Sequence, residues 1–456
     1  MVVLTGSDMP GHAEESSFVR PPFQSLRYEE DYSYLSDQDR QSLFDRIKQM
    51  RLGSANEAYL SVGGEVRERY EWIQHSNWGN GPQDDNGYWL QRYMLHADLK
   101  ADGLRLFVQL ESGLEAGRSG GPRATDEDRA DLHQAFIDLH IRRFEDTDLV
   151  LRVGRQELEY GSARLISVRE GPNIRLAFDG IKTIIKAGGW QADLFAVRPV
   201  LTNPESWDDR DDPKRALWGV YATGPVRGVP GAHLDLYYLG LDHRDASFEQ
   251  GVANEKRHSF GGRMWGRSSR WDYNLELIYQ LGTFGVGKIR AWTAASDLGI
   301  TFSQKGWKPR LGMKADVTSG DRDTRSVNLQ TFNPLFPRGA YFGEPALVGP
   351  ANHVDVHPTL SVKPLRGVTV QADWIRFWRQ RRGDGVYGPG GNLLASGSAN
   401  QSKSVGDQFE VKLDWSINRH LTISADLARF VAAKFLKEAS PGKDVTYAST
   451  WVSFRF

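Results

Sequence analysis

The last twelve residues, 445–456, alternate between two kinds of side chain along their whole length. One face carries Thr446, Ala448, Thr450, Val452, Phe454 and Phe456, and the other carries Tyr447, Ser449, Trp451, Ser453 and Arg455. A period of two is typical of a β-strand whose two faces meet different surroundings. By itself, this stretch fits either an edge strand of a soluble β-sandwich or a strand of a membrane barrel.

About eighteen stretches of the chain show the same alternation. They lie near residues 57–72, 86–101, 103–114, 131–143, 147–156, 179–187, 189–199, 214–224, 231–240, 255–267, 270–281, 286–298, 305–318, 355–363, 366–379, 406–417, 420–431 and 444–456. The stretch 270–281 is the clearest, because Trp271, Tyr273 and Tyr279 place aromatic rings at both ends of its apolar face. Membrane barrels place such rings in two interfacial girdles.

The links between these stretches differ in length in a regular way. Links after most odd-numbered strands, the ninth included, have roughly 11 to 36 residues, whereas most links after even-numbered strands are tight turns such as Ala101-Asp102-Gly103. A soluble sandwich has no reason to show this asymmetry, whereas outer-membrane barrels have short turns on one rim and long loops on the other. The sequence therefore predicts an all-β fold, an antiparallel transmembrane β-barrel of about 18 strands over residues 57–456, wide enough for an aqueous lumen.

Composition excludes several other classes of protein. The mean hydropathy is −0.51, and no run of about 18 apolar residues is present, so membrane-spanning helices are excluded. The chain has no cysteine, which excludes disulfides, zinc–thiolate sites and thiol nucleophiles. The net charge of −1 gives no reason to expect nucleic-acid binding.

The first 56 residues do not have the barrel pattern. Residues 1–13 are interpreted as the remnant of a signal peptide, since a short apolar start is followed by Gly11-His12-Ala13. Residues 14–56 are then an N-terminal periplasmic segment. Within it, a capping-box pattern from Ser36 to Asp39 and apolar residues at helical spacing predict a short helix over 37–50. This helix is either a lid on the first strands, or a plug or a docking segment for a partner.

Side-chain parity predicts which charged residues face the lumen. The inward cations are predicted to line the pore: Arg67, Arg69, Arg92, Arg105, Arg152, Lys288, Arg290, Arg310, Lys314 and Arg379. Inward carboxylates are also numerous, so cross-strand ion pairs in a wet wall are the alternative role. Two groups carry an excess of cations, on strands one to three and around Lys288 to Lys314. Stacked cations favour anions, and arginine matches carboxylates bidentately, so a polyuronate is a plausible passenger.

Catalysis and metal binding have weaker support. Inward carboxylates with His96 and His140 could form an acid/base pair, but no hydrolase or phosphate-loop motif is present. We therefore expect no enzyme activity and no cofactor. The acidic stretch Trp207 to Asp212 lies in a long loop and could bind calcium, although it lacks the spacing of a known calcium loop and a solvated tip is the alternative.

The segment 151–180 carries a family resemblance. Gly154-Arg155-Gln156 ends one strand, and Phe178-Asp179-Gly180 begins the next after a long loop. Together with segments 27–35, 63–71, 331–339 and 377–379, this pattern resembles the alginate-export outer-membrane porin family. The closing Phe456 likewise resembles the C-terminal assembly signal of bacterial outer-membrane barrels.

The resemblance implies a monomeric 18-stranded porin in the bacterial outer membrane, which secretes an anionic polysaccharide or oligosaccharide through an arginine-lined constriction. Its surroundings would be outer-membrane lipid and periplasmic secretion partners. Arg92 falls where the family's pore-lining arginine on strand two would lie, and Arg338 lies in a long loop, 319–354, that could fold inward. The alternatives are an uptake porin for small organic anions or oligosaccharides and, less favoured, a barrel hydrolase.

Two departures from the family pattern weaken the specific expectation of alginate. The alginate exporter carries arginine where this chain has Gln134 and Glu157. The family's long periplasmic plug turn is reduced here to a tight turn near Ile417 to His420. We therefore expect the helix at 37–50 to provide the periplasmic closure.

Overall fold

The chain forms a closed antiparallel barrel of eighteen long strands. The computed structural model describes residues 20–35, 42–52, 58–83, 85–144 and 146–456. The strands are β1 Ala58–Gln74, β2 Tyr88–Ala101, β3 Leu104–Ala116, β4 Asp128–Phe144, β5 Thr147–Gln156, β6 Phe178–Ala187, β7 Trp190–Leu201, β8 Arg215–Pro225, β9 Ala232–Phe248, β10 Gly251–Arg267, β11 Trp271–Phe284, β12 Gly287–Thr301, β13 Arg310–Thr318, β14 His353–Val362, β15 Val368–Arg379, β16 Ser404–Ser416, β17 Leu421–Ala432 and β18 Val445–Arg455. Each pairs with the next, and β18 closes the barrel on β1, with Arg455 opposite Glu65. The predicted strand number and topology are confirmed.

One predicted link is wrong. Strands β9 and β10 continue to Phe248 and from Gly251, so a two-residue turn replaces the long loop expected after the ninth strand. The alternation resumes after a β-bulge between His243 and Ala246. Phe248 is buried against Phe284 at a centroid distance of 5.5 Å. This packing gives the hairpin a reason to extend beyond the predicted strand ends.

The two faces of the wall differ as the sequence predicts. On β11, Leu275, Leu277 and Tyr279 are exposed outward, whereas Glu276 and Gln280 are buried on the lumen side. Tyr238, Phe260, Tyr279 and Trp292 lie directly opposite one another on four neighbouring strands and form an outward aromatic row. None of the described helices is long and apolar enough to span a membrane.

The short elements lie at the rims and in the loops. A short N-terminal helix is confirmed as α1, Leu43–Lys48, and the Ser42 side chain caps it by accepting a hydrogen bond from the Asp45 N–H. Residues 37–41 of the predicted helix and the predicted signal-peptide remnant 1–13 lie outside the described residues. The other helical elements are α2 Ser76–Gly79, a single turn in which Asn77 and Trp78 have left-handed backbone angles, α3 Lys434–Ala439 and the 3₁₀ turns Arg27–Glu29 and Gly397–Ala399. The short strands are Met50–Leu52, Arg210–Asp211, Val386–Tyr387 and Leu393–Ala395. Helix α1 ends where Met50–Leu52 begins to pair with the start of β1.

Loops from the long-loop rim fold into the barrel and bury apolar side chains there. We call three of them L3 (157–177), L7 (319–352) and L8 (380–403). Ile166 of L3 and Phe336 of L7 pack with Phe178 and Leu217 of the wall in one buried cluster. Tyr387 of L8 packs in another cluster with Phe248 of β9. These clusters fill the lumen near the long-loop rim, which faces outward from the cell in outer-membrane barrels.

Residues 20–35, which we call the septum, lie inside the opposite, short-turn end of the lumen. Arg27 donates to the Gly64 carbonyl of β1 at 3.2 Å and to the Phe456 carbonyl after β18 at 2.9 Å. Tyr28 donates to the Glu157 carbonyl of L3 at 2.9 Å. The ring of Tyr28 also meets Phe136 of β4 edge-on at 5.4 Å. The septum is therefore attached to several strands and to L3.

Candidate pore constriction and its vestibules

Loops L3 and L7 meet inside the lumen as a short two-stranded ribbon. Ile166 and Phe336 form a parallel bridge. The Phe336 N–H donates to the Leu165 carbonyl at 2.8 Å, and the Arg338 N–H donates to the Ala163 carbonyl at 3.0 Å. Because backbone hydrogen bonds join them, the two loops narrow the lumen as one unit.

The residues of the family-like motif form the root of L3. Gly154 and Gly180 lie opposite each other with φ values of 132° and 156°. A Cβ atom would lie 2.2 Å from the Ala135 carbonyl oxygen at Gly154 and 2.3 Å from the Ala196 carbonyl oxygen at Gly180. Glycine is therefore required at both positions.

The other motif residues lock the same root. Arg155 forms an ion pair with Asp179 at 2.9 Å. Gln156 and Phe178 are completely buried. The motif residues therefore hold the root of L3 in position, which is a structural role.

A network of ion pairs then attaches L3 to the wall. Arg92 binds Glu65 and Glu170, both at 2.6 Å, and Arg455 binds Glu65 at 2.6 Å. Arg175 of L3 binds Glu157 at 2.5 Å and also pairs with Glu170. Burial opposes ionisation of Glu170, but Arg92 and Arg175 overcome it and lower the pKa of Glu170 to about 2. Arg92 is thus neutralised by carboxylates.

The two predicted arginines of β1, Arg67 and Arg69, also hold L3. Arg67 donates to the carbonyls of Glu170 and Pro172 at 2.8 and 2.9 Å. Arg69 forms an ion pair with Glu71 at 2.6 Å and donates to the Gly171 carbonyl at 2.7 Å. The carbonyl partners of Arg67 are neutral, so its positive charge is retained beside the lumen.

Most of the remaining inward cations have acidic partners. Arg105 binds Asp98 at 2.7 Å, and Arg152 binds Asp138 at 2.7 Å. Arg310 binds Asp272 at 2.5 Å. Lys314 is partly exposed on the lumen side and forms no ion pair with any residue of the described ranges. Most inward cations of this wall therefore form ion pairs with neighbouring carboxylates, which is the alternative role given to them by the sequence.

Arg379 has a different role from the predicted one. It is almost fully buried and donates to the carbonyls of Ser402, Asp384 and Asn400. The Phe435 ring covers its guanidinium at 3.8 Å. Arg379 braces L8, and the prediction that it lines the pore is wrong because the loop encloses it.

The prediction that Lys288 and Arg290 face the lumen is also wrong. Both are exposed on the outer face, whereas Ile289 and Ala291 are 1% and 0% exposed and point inward. Ile289 packs with Leu329 of L7 inside the barrel. The prediction assumed that polar residues face the lumen. At this end of β12, loop L7 packs against the inner face, so apolar residues point inward and the cations point outward.

Two cavities lie beside the septum toward the short-turn rim. Vestibule A has a volume of about 1350 Å³ and is lined by Phe23 and Ser25, by Arg67, and by Arg338 and Gly339 of L7. Vestibule B has a volume of about 760 Å³ and is lined by Leu26 and by Tyr28 to Asp31 on the other side of the septum. Glu159 and Gly161 of L3 line both cavities. The septum therefore divides this part of the lumen.

The two vestibules differ in charge. Six Lys and Arg side chains line vestibule A against three Glu: Arg67, Arg338, Arg366, Lys412, Arg419 and Arg455, with Glu159, Glu170 and Glu344. Six cations line vestibule B against eight carboxylates: Lys100, Arg105, Arg152, Lys182, Lys186 and Arg263, with Glu29, Glu30, Asp31, Asp138, Asp148, Glu159, Asp193 and Asp235. The side chain of Arg338 is exposed in vestibule A and has no ion-pair partner among the described residues.

Sequence reasoning missed the charged residues of L3 and of the septum. Glu170, Arg175 and Arg27 join L3, the septum and the barrel seam. Parity assigns a face only to residues in strands, so it gave no signal for these three. The charge alternation within L3 could have identified the loop as a salt-bridged one.

The acidic stretch 207–212 contributes one residue to a carboxylate cluster near the long-loop rim. Asp128 and Asp131 of β4 and Asp209 have carboxylate oxygens within 4.8 Å of one another. Asp128 is 2% exposed, and its Oδ1 has no hydrogen-bond partner among the described residues. Burial raises the pKa of Asp209 to about 6, and the neighbouring Asp131 contributes to the increase. Calcium binding at this loop stays a prediction.

An 18-stranded barrel with an apolar outer belt, short turns on one rim and inward-folded loops defines a porin-type channel of the outer membrane. The chain belongs to the alginate export family, whose model matches residues 58–449. The predicted family and outer-membrane location are thereby confirmed.

Solved structures with similar folds are porins of Pseudomonas aeruginosa. OccK11 (OpdR) is 14% identical, with a TM-score of 0.54, over 89% of this chain and 98% of OccK11. OccK3 (OpdO) is 11% identical, with a TM-score of 0.56, over 87% of this chain and 95% of OccK3. OpdK, solved with vanillate, is 10% identical, with a TM-score of 0.55, over 89% of this chain and all of OpdK. At these identities, the likeness concerns the fold alone. No curated protein matches the chain.

Proposed function

We propose that the protein is an outer-membrane channel that secretes an anionic polysaccharide, alginate or a related polyuronate, and that vestibule A is its path. The observation that carries this proposal is the excess of cations in vestibule A, six Lys and Arg against three Glu. A cavity with fixed positive charge and low-dielectric walls concentrates anions. The family membership supports the same class of passenger.

Arg338 is the side chain that would bind carboxylates in passing, and the buried Arg67 would add positive potential beside it. Arg338 lies on the narrowing ribbon, and its guanidinium has no ion-pair partner within the described ranges, while Arg67 retains its charge because its partners are neutral carbonyls. Trp451 lines the same vestibule, and its ring holds the Arg69 guanidinium at 4.3 Å and the Lys412 ammonium at 5.3 Å. Several weak sites in a row let a polymer enter and leave, as conduction requires.

The second candidate is uptake of small organic anions. OpdK, one of the similar folds, was solved with vanillate, which is a small carboxylate. The same cationic vestibule would accept such an anion. A hydrolase has less support, because the family and the fold are those of a channel and lumenal carboxylates such as Glu65 and Asp138 are held by arginines.

Single-channel recording in planar bilayers tests the proposal. We expect an anion-selective current that an oligouronate blocks more strongly than a monomeric uronate does. In Arg338→Ala, the blocking concentration should rise about tenfold, the loss of one charge-assisted contact of about 1.4 kcal/mol. Arg227→Ala is the control, because Arg227 is exposed in a short turn outside both vestibules. Equal block by monomer and polymer would favour uptake, and indifference to both would overturn both candidates.

A further inference from the structure

The outer surface of the barrel carries a small polar cleft near the long-loop rim. Lys288 and Arg290 of β12 and Asn328 and Gln330 of L7 line it, and its volume is about 180 Å³. Leu329 of L7 forms a single parallel bridge with Ile289, since the Leu329 N–H donates to the Lys288 carbonyl and the Arg290 N–H donates to the Leu329 carbonyl, both at 3.0 Å. The cleft is therefore built on paired backbone.

The cleft faces away from the lumen. Ile289 and Leu329, which alternate with its lining residues, are 1% and 0% exposed and pack in the interior cluster. Lys288, Arg290 and Asn328 are all exposed. Two cations and two amide side chains thus share one outward surface.

The aromatic row fixes the height of the cleft relative to the membrane. Trp292 belongs to the outward row with Tyr279 and Phe260, and Arg290 and Lys288 are the next two outward residues toward the long-loop rim. Each outward step is about 7 Å along the strand, or about 5 Å along the membrane normal at a tilt near 40°. Interfacial aromatics mark the edge of the hydrocarbon layer, so the two cations lie about 5 to 10 Å beyond it, at the level of lipid headgroups.

These cations differ from the lumenal arginines because they are not neutralised. Lys288 and Arg290 form no ion pair with any residue in the described part of the chain. Lys256 of β10 is exposed in the same row, because Thr283 of β11 lies opposite both Lys256 and Lys288. The exposed Asp242 lies opposite Lys256 on its other side, so one carboxylate borders the patch without reaching the cleft. The surface keeps a net positive charge facing the lipid.

We propose that this cleft binds a phosphate group of a phosphorylated glycolipid in the outer leaflet of the outer membrane. Lys288 and Arg290 supply charge-assisted hydrogen bonds to the phosphate oxygens, and Asn328 and Gln330 supply amide donors. The lipid source follows from position, because Trp292 directly below the cleft is exposed to the acyl layer. This inference concerns the outer surface and does not depend on what passes through the lumen.

Native mass spectrometry of the detergent-purified full chain tests the inference. Wild-type protein mixed with bisphosphorylated lipid A should retain bound lipid, and Lys288→Gln/Arg290→Gln should retain about tenfold less. Lys305→Gln/Lys363→Gln is the matched control, since it removes two exposed cations from short turns on the opposite rim. Heat-dependent migration in gels confirms that each barrel is folded, and Lys288→Arg/Arg290→Lys should restore binding.

The lipid source has its own controls. Wild-type protein should bind dephosphorylated lipid A only weakly. This binding should be about as weak as that of bisphosphorylated lipid A to the double glutamine variant. Inorganic phosphate at matched concentration should fail to displace the lipid, because it has no acyl chains that could pack on the apolar surface below the cleft. Equal retention by wild type and the double glutamine variant, equal binding of dephosphorylated lipid, or displacement by inorganic phosphate would each overturn the inference.

Discussion

Vestibules A and B lie side by side in one lumen but present opposite charge. Vestibule A has twice as many cations as carboxylates, whereas in vestibule B carboxylates outnumber cations by eight to six. The two vestibules together are lined by twelve cations and ten carboxylates, so their summed charge does not describe what a passing ion meets in either one. The septum, residues 20–35, creates the difference by separating the two sets.

The contrast arises from where the cations come from. In vestibule B, they come mostly from neighbouring strands and face partners, as in Arg152 with Asp138 at 2.7 Å and Arg263 with Asp235 at 2.8 Å. In vestibule A, Arg338 comes from a loop and has no ion-pair partner in the described ranges. A strand wall pairs its charges by register, but a loop can deliver an unpaired charge into a lumen.

Removing the septum should have the largest effect on this contrast. Deletion of residues 20–49 merges the vestibules, so we expect single-channel conductance to rise about twofold or more and anion selectivity to fall. Arg46→Ala is the control, because Arg46 is exposed on α1. Unchanged conductance in the deletion variant would show that the septum does not divide the ion path.

Cysteine labelling compares the two vestibules directly, because the chain contains no cysteine. Ser453→Cys places a thiol in vestibule A, and Ile184→Cys places one in vestibule B. We expect an anionic methanethiosulfonate to react faster in A and a cationic one faster in B, with rate ratios that differ by about tenfold. The same rate ratio at both positions would contradict the charge assignment.

The attachment of the septum should depend on pH through Lys48. The Lys48 ammonium is buried over the Tyr32 ring at 4.9 Å and has no hydrogen-bond partner among the described residues. Burial, with the positive charge of Arg27, lowers the pKa of Lys48 to about 7, while Glu30 and Asp98 partly oppose the shift.

Between the lowered pKa and the usual value of 10.5, released Lys48 binds more protons than docked Lys48. Docking therefore strengthens as pH rises through this window, by at most about 1.4 kcal/mol per pH unit. A nitroxide attached at Ser25→Cys should be less mobile at pH 9 than at pH 6.5. Lys48→Met should remove this dependence, and a dependence that persists in Lys48→Met would exclude Lys48 as its cause.

Calcium should have the smallest effect and should leave the vestibule contrast unchanged. The cluster of Asp128, Asp131 and Asp209 lies outside both vestibules. We expect calcium to raise the melting temperature by roughly 1–2 °C and EDTA to reverse the change, because a loop site adds only local binding energy. Asp128→Asn should abolish the shift, and a shift of the same size in that variant would place the ion elsewhere.

The sequence predicts the wall of this molecule better than its interior. Alternation in stretches such as 270–281 locates every barrel strand, because a wall between lipid and water imposes a period of two. Parity also places Arg67, Arg92 and Arg152 correctly on the inner face. It fails at Lys288 and Arg290, where packed loop L7 replaces water on the inside.

The division of the lumen was not predictable from local pattern. Arg27 meets the Phe456 carbonyl 429 positions along the chain, and Arg92 meets Glu170 78 positions away. Such contacts depend on how loops and the N-terminal segment fold into the barrel, and no periodicity encodes that. The sequence places Arg338 in a loop that could fold inward. Only the structure shows that some neighbouring cations have acidic partners whereas Arg338 has none among the described residues.

The hydrogen bonds of Arg27 have a consequence for biogenesis. One guanidinium grips the Gly64 carbonyl near the start of the first strand and the carbonyl of the last residue, Phe456. These two carbonyls lie side by side only when β1 and β18 are paired. These two hydrogen bonds of Arg27 can therefore form together only after the barrel has closed.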